Sequence, residues 1–211
     1  MSAEIFDRDC TQCPRLASFL ADVRTERPNY YARPVPVFGD FDARLLIVGL
    51  APGMHGANRT GRPFTGDYAG ILLYETLHKF GYSNIVGTAE PDDGLVLKDC
   101  RISNAVKCLP PENKPNPDEI KRCNQYLARE LECFPPRCIL ALGRIAHDAV
   151  LIASGLKPTQ YKFGHHAVHE LPSGIRLFDC YHCSRYNTQT KRLTQAMFEA
   201  VFADIARTLA A

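Results

Sequence analysis

The most constraining feature of this sequence is the stretch at residues 45–67, which reads LLIVGLAPGMHGANRTGRPFTGD. Its apolar start predicts a buried strand, and the turn that follows is built from small residues such as Gly49, Ala51 and Gly53. In open α/β sheets, ligands bind beyond the carboxyl ends of the strands. The sequence therefore predicts an active site in the loop after this strand.

The rest of the chain alternates between strand and helix patterns. Four apolar runs predict strands, at residues 44–50, 99–106, 137–142 and 175–181. Helical patterns lie around and between them, at residues 16–24, 68–80 and 145–153, after Asn116, and at the C-terminus. Because such alternation favours a parallel sheet covered on both faces, we predict one three-layer α/β/α domain over residues 1–211, with a central four-stranded parallel sheet.

The helix after Asn116 has a clear start signal. Asn116 is suited to the N-cap, Pro117 to the first turn, and Glu119 to a capping box. Four residues then share one apolar face at helical spacing, Ile120, Cys123, Leu127 and Leu131. We therefore expect Cys123 to point inward.

Composition and charge give few global signals. The chain has 211 residues and a net charge of +2, so contact with a polyanion would have to come from local patches. The first ten residues carry charges where a secretory signal needs an apolar core, and no segment reaches the ~20 apolar residues that span a bilayer. We expect a soluble, cytoplasmic protein and, since no long heptad pattern appears, a monomer.

Nine cysteines in an intracellular chain argue for metal ligands or buried thiols rather than disulfides. Cys10 and Cys13 form a CxxC pair. Four others lie in or next to predicted core elements, and we expect buried, inert thiols there, at Cys100, Cys133, Cys138 and Cys180.

Polar residues follow three of the predicted strands. They are the loop at residues 51–67, Asn104 near the end of the second strand, and His182 after the fourth. Because the carboxyl ends of parallel strands share one edge of a sheet, these residues are expected to meet in one site.

Three segments, GLAPGMHGANRTGRPFTGD, SNAVKCLPP and YHCSRYNTQTKRLT, resemble in order and spacing the motifs of the uracil-DNA glycosylase superfamily. The match is to the iron–sulfur type called family 5, since family 4 enzymes typically have Glu where this chain has Leu50. The resemblance implies a prokaryotic DNA repair enzyme with access to the chromosome. Such an enzyme flips uracil out of DNA and hydrolyses its N-glycosidic bond to leave an abasic site, with some activity on other deaminated bases.

The resemblance also implies one [4Fe–4S] cluster, held by Cys10, Cys13, Cys108 and Cys123. The CxxC pair supplies two thiolates from one turn, and the Pro-rich loop after Cys108 brings the other pair. Such a cluster would tie the N-terminal segment to that loop. The same four thiolates would also suit a zinc ion, and the residues alone leave this alternative open.

Three catalytic residues are implied by position. Asp67 would orient or activate water and stabilise positive charge on the sugar, although it is also a natural N-cap for the next helix. Asn104 would pair with the uracil edge through its amide, or else satisfy a strand end. His182 would donate to uracil O2 and stabilise the leaving anion, or else cap a strand end. The family usually has Pro or Val after this histidine, where this chain has Cys183.

The resemblance assigns the remaining pocket residues as well. Phe64 would stack on the flipped base, with a plain core phenylalanine as the alternative. The rest of the expected pocket is Leu50, Ala51, Pro52, Gly53, Asn58 and Arg185, with His55 and His165 as weaker candidates.

Contact with DNA phosphates requires local cations and polar groups beside the pocket. The candidates are Arg59, Arg62, Ser184, Arg185, Asn187, Thr188, Lys191 and Arg192, each of which could equally be a solvated surface residue. Arg185 or Tyr186 could also fill the gap left by a flipped base.

Two other functions are compatible with the motifs. One is excision of a different damaged base, and the other is an iron–sulfur nucleic-acid binder or redox sensor without glycosylase activity. Binding alone does not require Asp67, Asn104 and His182 together. The motif segments hold two lysines, Lys107 beside the cluster loop and Lys191 among the candidate phosphate contacts, and we expect no Schiff-base lyase step.

Overall fold

A computed structural model describes residues 6–87 and 89–211 of the chain. Its sheet has six strands in these residues, in the order β1-β3-β2-β4-β6-β5. Their bounds are β1 Phe38–Gly39, β2 Leu45–Gly49, β3 Cys100–Asn104, β4 Cys138–Leu142, β5 Val168–Glu170 and β6 Arg176–Cys180.

The four predicted strands are the four parallel strands at the centre of this sheet, β3, β2, β4 and β6. The predicted count of four is too low because β1 and β5 add an antiparallel strand at each edge. These edge strands have two and three residues, and β5 is mostly exposed. Segments so short and polar give no apolar run that a sequence pattern could reveal.

Seven α-helices surround the sheet in the described residues. They are α1 Pro14–Glu26, α2 Ala57–Thr60, α3 Tyr68–Lys79, α4 Pro117–Cys133, α5 Arg144–Ala153, α6 Arg185–Gln189 and α7 Gln195–Ala210. The start signal of α4 is confirmed, because the Asn116 backbone N–H donates to the Glu119 carboxylate at 2.7 Å and Pro117 occupies the first turn. None of the helices combines the length and apolar character that a membrane span requires, over the described part of the chain.

Alternate residues of the central strands face opposite sides of the sheet. On one side Leu45 and Ile47 pack with α3 and α7, and on the other Leu46 and Val48 pack with α4 and α5. All four side chains are fully buried. The structure is therefore the expected α/β/α arrangement, and the carboxyl ends of the central strands point to one common edge.

Four cysteines outside the expected ligand set were predicted to be buried. Three of them are buried, Cys100, Cys138 and Cys180. The prediction is wrong for Cys133, which is exposed. Two residues along an α-helix correspond to about 200° of rotation, so Cys133 lies on the side of α4 opposite the buried Leu131.

A buried network fixes the segment before β5. The carbonyl oxygen of Tyr161 lies 3.0 Å from His147 Nε2, and Asp179 Oδ1 lies 2.7 Å from His147 Nδ1. Since a carbonyl only accepts, Nε2 carries a proton. The other Asp179 oxygen accepts from the Gly164 N–H and faces the His169 ring. A second proton, on Nδ1, would donate to Asp179 Oδ1, so the network favours His147 with both ring protons, as a cation.

This network predicts a stability that depends on pH. Burial is the largest single effect and lowers the pKa of His147, but the hydrogen bond to Asp179, the negative charge of Asp179 and the Tyr161 carbonyl together outweigh it, so the net pKa is raised. A raised pKa means that the stabilisation is complete below the ordinary histidine pKa of about 6.5 and is lost as pH rises through the higher folded value.

Accordingly, His147→Gln should lower the free energy of unfolding by about 1.5–3 kcal/mol at pH 6 and by less at pH 9. Urea denaturation at both pH values measures this difference. His78→Gln, at an exposed position near the end of α3, is the control and should show no such pH dependence. An equal cost of His147→Gln at both pH values would contradict the assignment of a cationic His147.

Candidate functional site

A cavity of about 580 Å³ opens at the carboxyl edge of the sheet, and all three motif segments line it. The loop after β2 contributes residues from Leu50 to Asp67, β3 contributes Asn104, and the segment after β6 contributes His182 and Arg185. The expectation that these segments meet at one edge is therefore confirmed.

Asp67 lies on the cavity wall, and its carboxylate is turned away from the helix that it precedes. It is the residue before α3, but its side chain makes no capping bond to that helix. Instead, Oδ2 accepts from the Ala57 N–H at 3.4 Å. Burial raises the pKa of Asp67, against the lowering effect of this bond and of the nearby His55 and Arg59. The alternative role as an N-cap is thus excluded by the geometry.

Two glycines make this position of Asp67 sterically accessible. A Cβ atom on Gly53 would lie 2.7 Å from Asp67 Oδ1, and one on Gly56 would lie 1.9 Å from Asp67 Cγ. Both separations are far below a van der Waals contact. The glycines of the APGMHG turn therefore form a cradle for the carboxylate.

Asn104 and Phe64 meet above the end of β2. Gly49 pairs with Asn104 in the parallel register, and a Cβ atom on Gly49 would lie 2.5 Å from Asn104 Oδ1 and 2.8 Å from the Phe64 ring. The Asn104 amide makes no side-chain hydrogen bond within the described residues and lines the cavity. It is free to pair with a ligand.

Phe64 is held in an unusual backbone conformation. Its φ is +58°, a left-handed value that costs energy for a residue with a side chain. Gly70 of α3 leaves room for it, because a Cβ there would lie 1.8 Å from the Phe64 carbonyl oxygen. The Phe64 ring is stacked at 6.0 Å from the His182 ring. The strain thus accompanies an aromatic side chain aimed at the cavity.

His182 is a neutral imidazole at physiological pH. Burial lowers its pKa to about 4, and its ring makes no hydrogen bond to the part of the protein that the structure describes. Asn187 of α6 donates its amide to the His182 carbonyl at 2.8 Å and fixes the backbone. The ring nitrogens therefore remain available to a ligand in the cavity.

Two expected pocket residues lie behind the cavity lining. Pro52 and Asn58 are buried and do not line the cavity. Asn58 Oδ1 is the one buried side-chain oxygen or nitrogen without a hydrogen-bond partner among the described residues. Leu50, Ala51, Gly53 and Arg185 do line it, as expected.

The prediction that Arg62 contacts a DNA phosphate is wrong, because its guanidinium is buried. It donates to both carboxylate oxygens of Asp93, at 2.8 and 2.9 Å. It also donates to the backbone oxygens of Glu90 and Pro91 and, at 2.6 Å, to Thr65 Oγ1. Arg62 clamps the motif loop to residues 90–93, and no donor is left for DNA.

The other candidate cations differ in exposure. Arg59 is partly exposed but already bonds Glu90 and the Ala89 carbonyl. Arg185, Lys191 and Arg192 are exposed around α6. Ser184, Asn187 and Thr188 bond within the α6 turn and organise it.

His55 and His165 are placed differently. His55 lines the cavity, and its Nδ1 lies 2.8 Å from the Tyr30 hydroxyl. His165 lies outside the cavity lining and stacks on Tyr181. Sequence reasoning missed Tyr68 as a lining residue, although it directly follows Asp67; its ring lies under the Arg185 guanidinium at 5.0 Å.

The four predicted ligand cysteines line one enclosed cavity between α1, α4 and the loop after β3. The backbone N–H of Lys107 donates to Cys123 Sγ at 3.2 Å, and Arg15 of α1 pairs with Glu119 of α4 beside them. Burial raises the pKa of Cys123 to about 11. The thiol set is therefore assembled by the fold, and burial favours the neutral thiol of Cys123 until a metal binds it.

The spacing of these sulfurs bears on the choice between a zinc ion and an iron–sulfur cluster. Within the described residues, one group of three potential metal ligands has all its ligand atoms within 4.8 Å of one another. It consists of His147, His169 and Asp179, and both histidines already contact the Asp179 carboxylate. The cysteines do not form such a group. Zinc bonds of about 2.3 Å would hold sulfurs about 3.8 Å apart. The wider set of four thiols fits a multi-atom iron–sulfur cluster.

The comparisons with known proteins agree with this geometry. The family model described as the uracil DNA glycosylase superfamily matches residues 36–206. A type-5 uracil-DNA glycosylase of Thermus thermophilus is 47% identical over 204 residues, covering 94% of this chain and 93% of the relative. One of Pyrobaculum aerophilum is 42% identical, covering 88% and 83%. A type-4 uracil-DNA glycosylase of Archaeoglobus fulgidus is 37% identical, covering 59% and 54%.

Proposed function

This chain belongs to the uracil DNA glycosylase superfamily, in its type-5 branch, and is therefore a DNA repair hydrolase of N-glycosidic bonds; we propose that it is monofunctional and also accepts other deaminated bases. The observation that carries the proposal is the meeting of Asp67, Asn104 and His182 in one cavity. These residues come from three separate segments of the chain, and nucleic-acid binding alone requires none of them.

Base flipping comes first. Extruding a nucleotide from a duplex costs a few kcal/mol, which the cavity must offset. Phe64 supplies a ring for stacking, and the Asn104 amide supplies one donor and one acceptor for the polar edge of a pyrimidine. Both groups are free to receive a base.

Cleavage then develops a negative charge on the base. Because burial lowers the pKa of His182 to about 4, the ring is neutral at physiological pH. A neutral imidazole has one N–H, which can donate a hydrogen bond to the base. A single preorganised donor of this kind contributes roughly 10²–10³-fold in rate. His182 is thus suited to stabilise the departing uracil anion.

The sugar develops a positive charge at the same time. Asp67 presents a carboxylate to the cavity, held by the Ala57 N–H and enclosed by Gly53 and Gly56. A carboxylate there stabilises the cationic sugar and orients the water that attacks it. The two charges of the transition state would therefore be stabilised by two different side chains of the cavity, His182 and Asp67.

A lyase step would need an amine in the cavity. No lysine lines the cavity within the described residues. Of the two lysines in the motif segments, Lys191 lies outside the cavity lining, and Lys107 is buried and donates its Nζ to Ser103, close to Glu130. This arrangement supports hydrolysis by water and an abasic product.

We propose that α6 and its flanks hold the DNA. Arg185, Lys191 and Arg192 would contact phosphates, and Tyr186, with 71% of its surface exposed, would fill the space left by the flipped base. We also propose a [4Fe–4S] cluster on Cys10, Cys13, Cys108 and Cys123. When bound, it would supply a covalent cross-link between the N-terminal segment and the loop after β3, and none of the four cysteines lines the catalytic cavity.

The test is excision from matched duplexes that contain uracil, hypoxanthine or no lesion. Strand breaks should appear with uracil, and more weakly with hypoxanthine, and only after alkali treatment. Breaks without alkali would refute the monofunctional mechanism. No activity on hypoxanthine would restrict the substrate to uracil.

A further inference from the structure

A second groove, of about 320 Å³, adjoins the catalytic cavity. It lies between the first turns of α3 and residues 86, 87 and 89, and we call it the α3 groove. It shares Phe64, Asp67, Tyr68 and Arg185 with the cavity. The two spaces therefore lie next to each other and share one common wall, formed by these four residues.

The α3 groove collects much of the exposed apolar surface of the protein. Eight large hydrophobic side chains are exposed among the described residues, and three of them line this groove. Tyr68 is 39% exposed, Ile71 57% and Val86 45%. Single exposed hydrophobics need no explanation, but a patch of them beside an active site indicates a binding surface.

The common wall has the character of a stacking platform. The Arg185 guanidinium lies over the Tyr68 ring at 5.0 Å, which gives a flat aromatic surface next to a planar cation. Nucleobases stack on such groups in proteins that bind unpaired strands. The lining also carries the carboxylates of Asp67 and Glu75, which disfavour a phosphate. The chemistry thus suits a neutral, flat ring.

We propose that the α3 groove binds the base of the nucleotide adjacent to the flipped uracil. The inference rests on the proposed function. Consecutive nucleotides are joined by a single phosphate, so a uracil in the cavity places its neighbour at the common wall. That neighbour has lost its stacking partner through the flip, and Tyr68, Arg185 and Ile71 replace it.

The test combines DNA probes with a single-residue variant of the groove. The probes carry 2′-fluoro-2′-deoxyuridine, whose fluorine slows glycosidic cleavage, and an abasic analogue at either flanking position. The variant is Ile71→Asn, which replaces an exposed apolar side chain on α3 with an uncharged polar one. Its matched control is Ile152→Asn on α5, where the isoleucine is also exposed and lies outside both the cavity and the groove.

Removing the base at one flanking position should weaken binding to the wild type by roughly 5- to 100-fold, the range of a lost base stack. In Ile71→Asn the intact probe should bind more weakly, and the same base removal should cost much less. Ile152→Asn should behave as the wild type. Ordinary deoxyuridine DNA, assayed in parallel for uracil release, separates this inference from the proposed function.

Two results would overturn the α3 groove as a base subsite. One is an equal loss on base removal in the wild type and in Ile71→Asn, with uracil release intact. The other is unchanged affinity of Ile71→Asn for every probe, which would leave the groove as a surface for a protein partner. Absence of uracil release would instead refute the proposed function.

Discussion

Asp67→Asn is expected to lower the single-turnover rate of uracil excision by roughly 10²–10⁴-fold, the range for a lost acid–base group. Asparagine has the same shape and fits the cradle of Gly53 and Gly56, so binding of uracil DNA should be retained. The amide has no negative charge for the cationic sugar. Rapid quench of product formation under excess enzyme measures the effect.

The control for this experiment is Asp22→Asn, at an exposed position on α1, which should excise uracil normally. Because burial raises the pKa of Asp67, the wild-type rate should also fall as pH decreases through that raised value. The acid limb should disappear in Asp67→Asn. Unchanged turnover of the variant would refute the role of Asp67.

Cys108→Ser is expected to abolish most of the visible absorption near ~400 nm that marks an iron–sulfur cluster. Loss of one ligand opens the site, and the N-terminal segment is no longer tied to the loop after β3. Metal binding is coupled to folding, so the thermal midpoint should fall as well. Absorption spectra and iron content of the purified protein measure the first effect, and calorimetry measures the second.

Cys133→Ser is the matched control, because Cys133 is an exposed cysteine in the same protein. Its spectrum and iron content should equal those of the wild type. A colourless wild type that contains zinc would contradict the cluster, in spite of the wide spacing of the four thiols.

The centre of the fold was predictable because its strands are continuous apolar runs. Residues 45–49 are fully buried, and burial on both faces leaves a clear signal in the sequence. The edge strands β1 and β5 have no such signal, since they are short and partly exposed. Other features depend on contacts between residues that are distant in the sequence and could not be predicted from local patterns. Arg62 is an example, because its partner Asp93 lies 31 residues away.

The candidate site was predictable in its membership but not in its geometry. The sequence left Asp67 between an N-cap and a catalytic carboxylate, and only the structure shows that its side chain bonds the Ala57 N–H and does not cap α3. The position of Asn58 behind the lining and the stacking of Arg185 on Tyr68 depend on packing. The ionic network of His147 and Asp179 joins α5 to β6 and leaves no local pattern in the sequence.

Release of free uracil is the most direct measurement of the central claim. The purified protein with its cysteine site loaded is incubated with a uracil-containing duplex, and the small-molecule fraction is analysed by mass spectrometry. The account predicts one free uracil for each abasic site formed, and none from a matched thymine duplex. Tight binding of the uracil duplex without release of the base would contradict it and indicate a nucleic-acid binder.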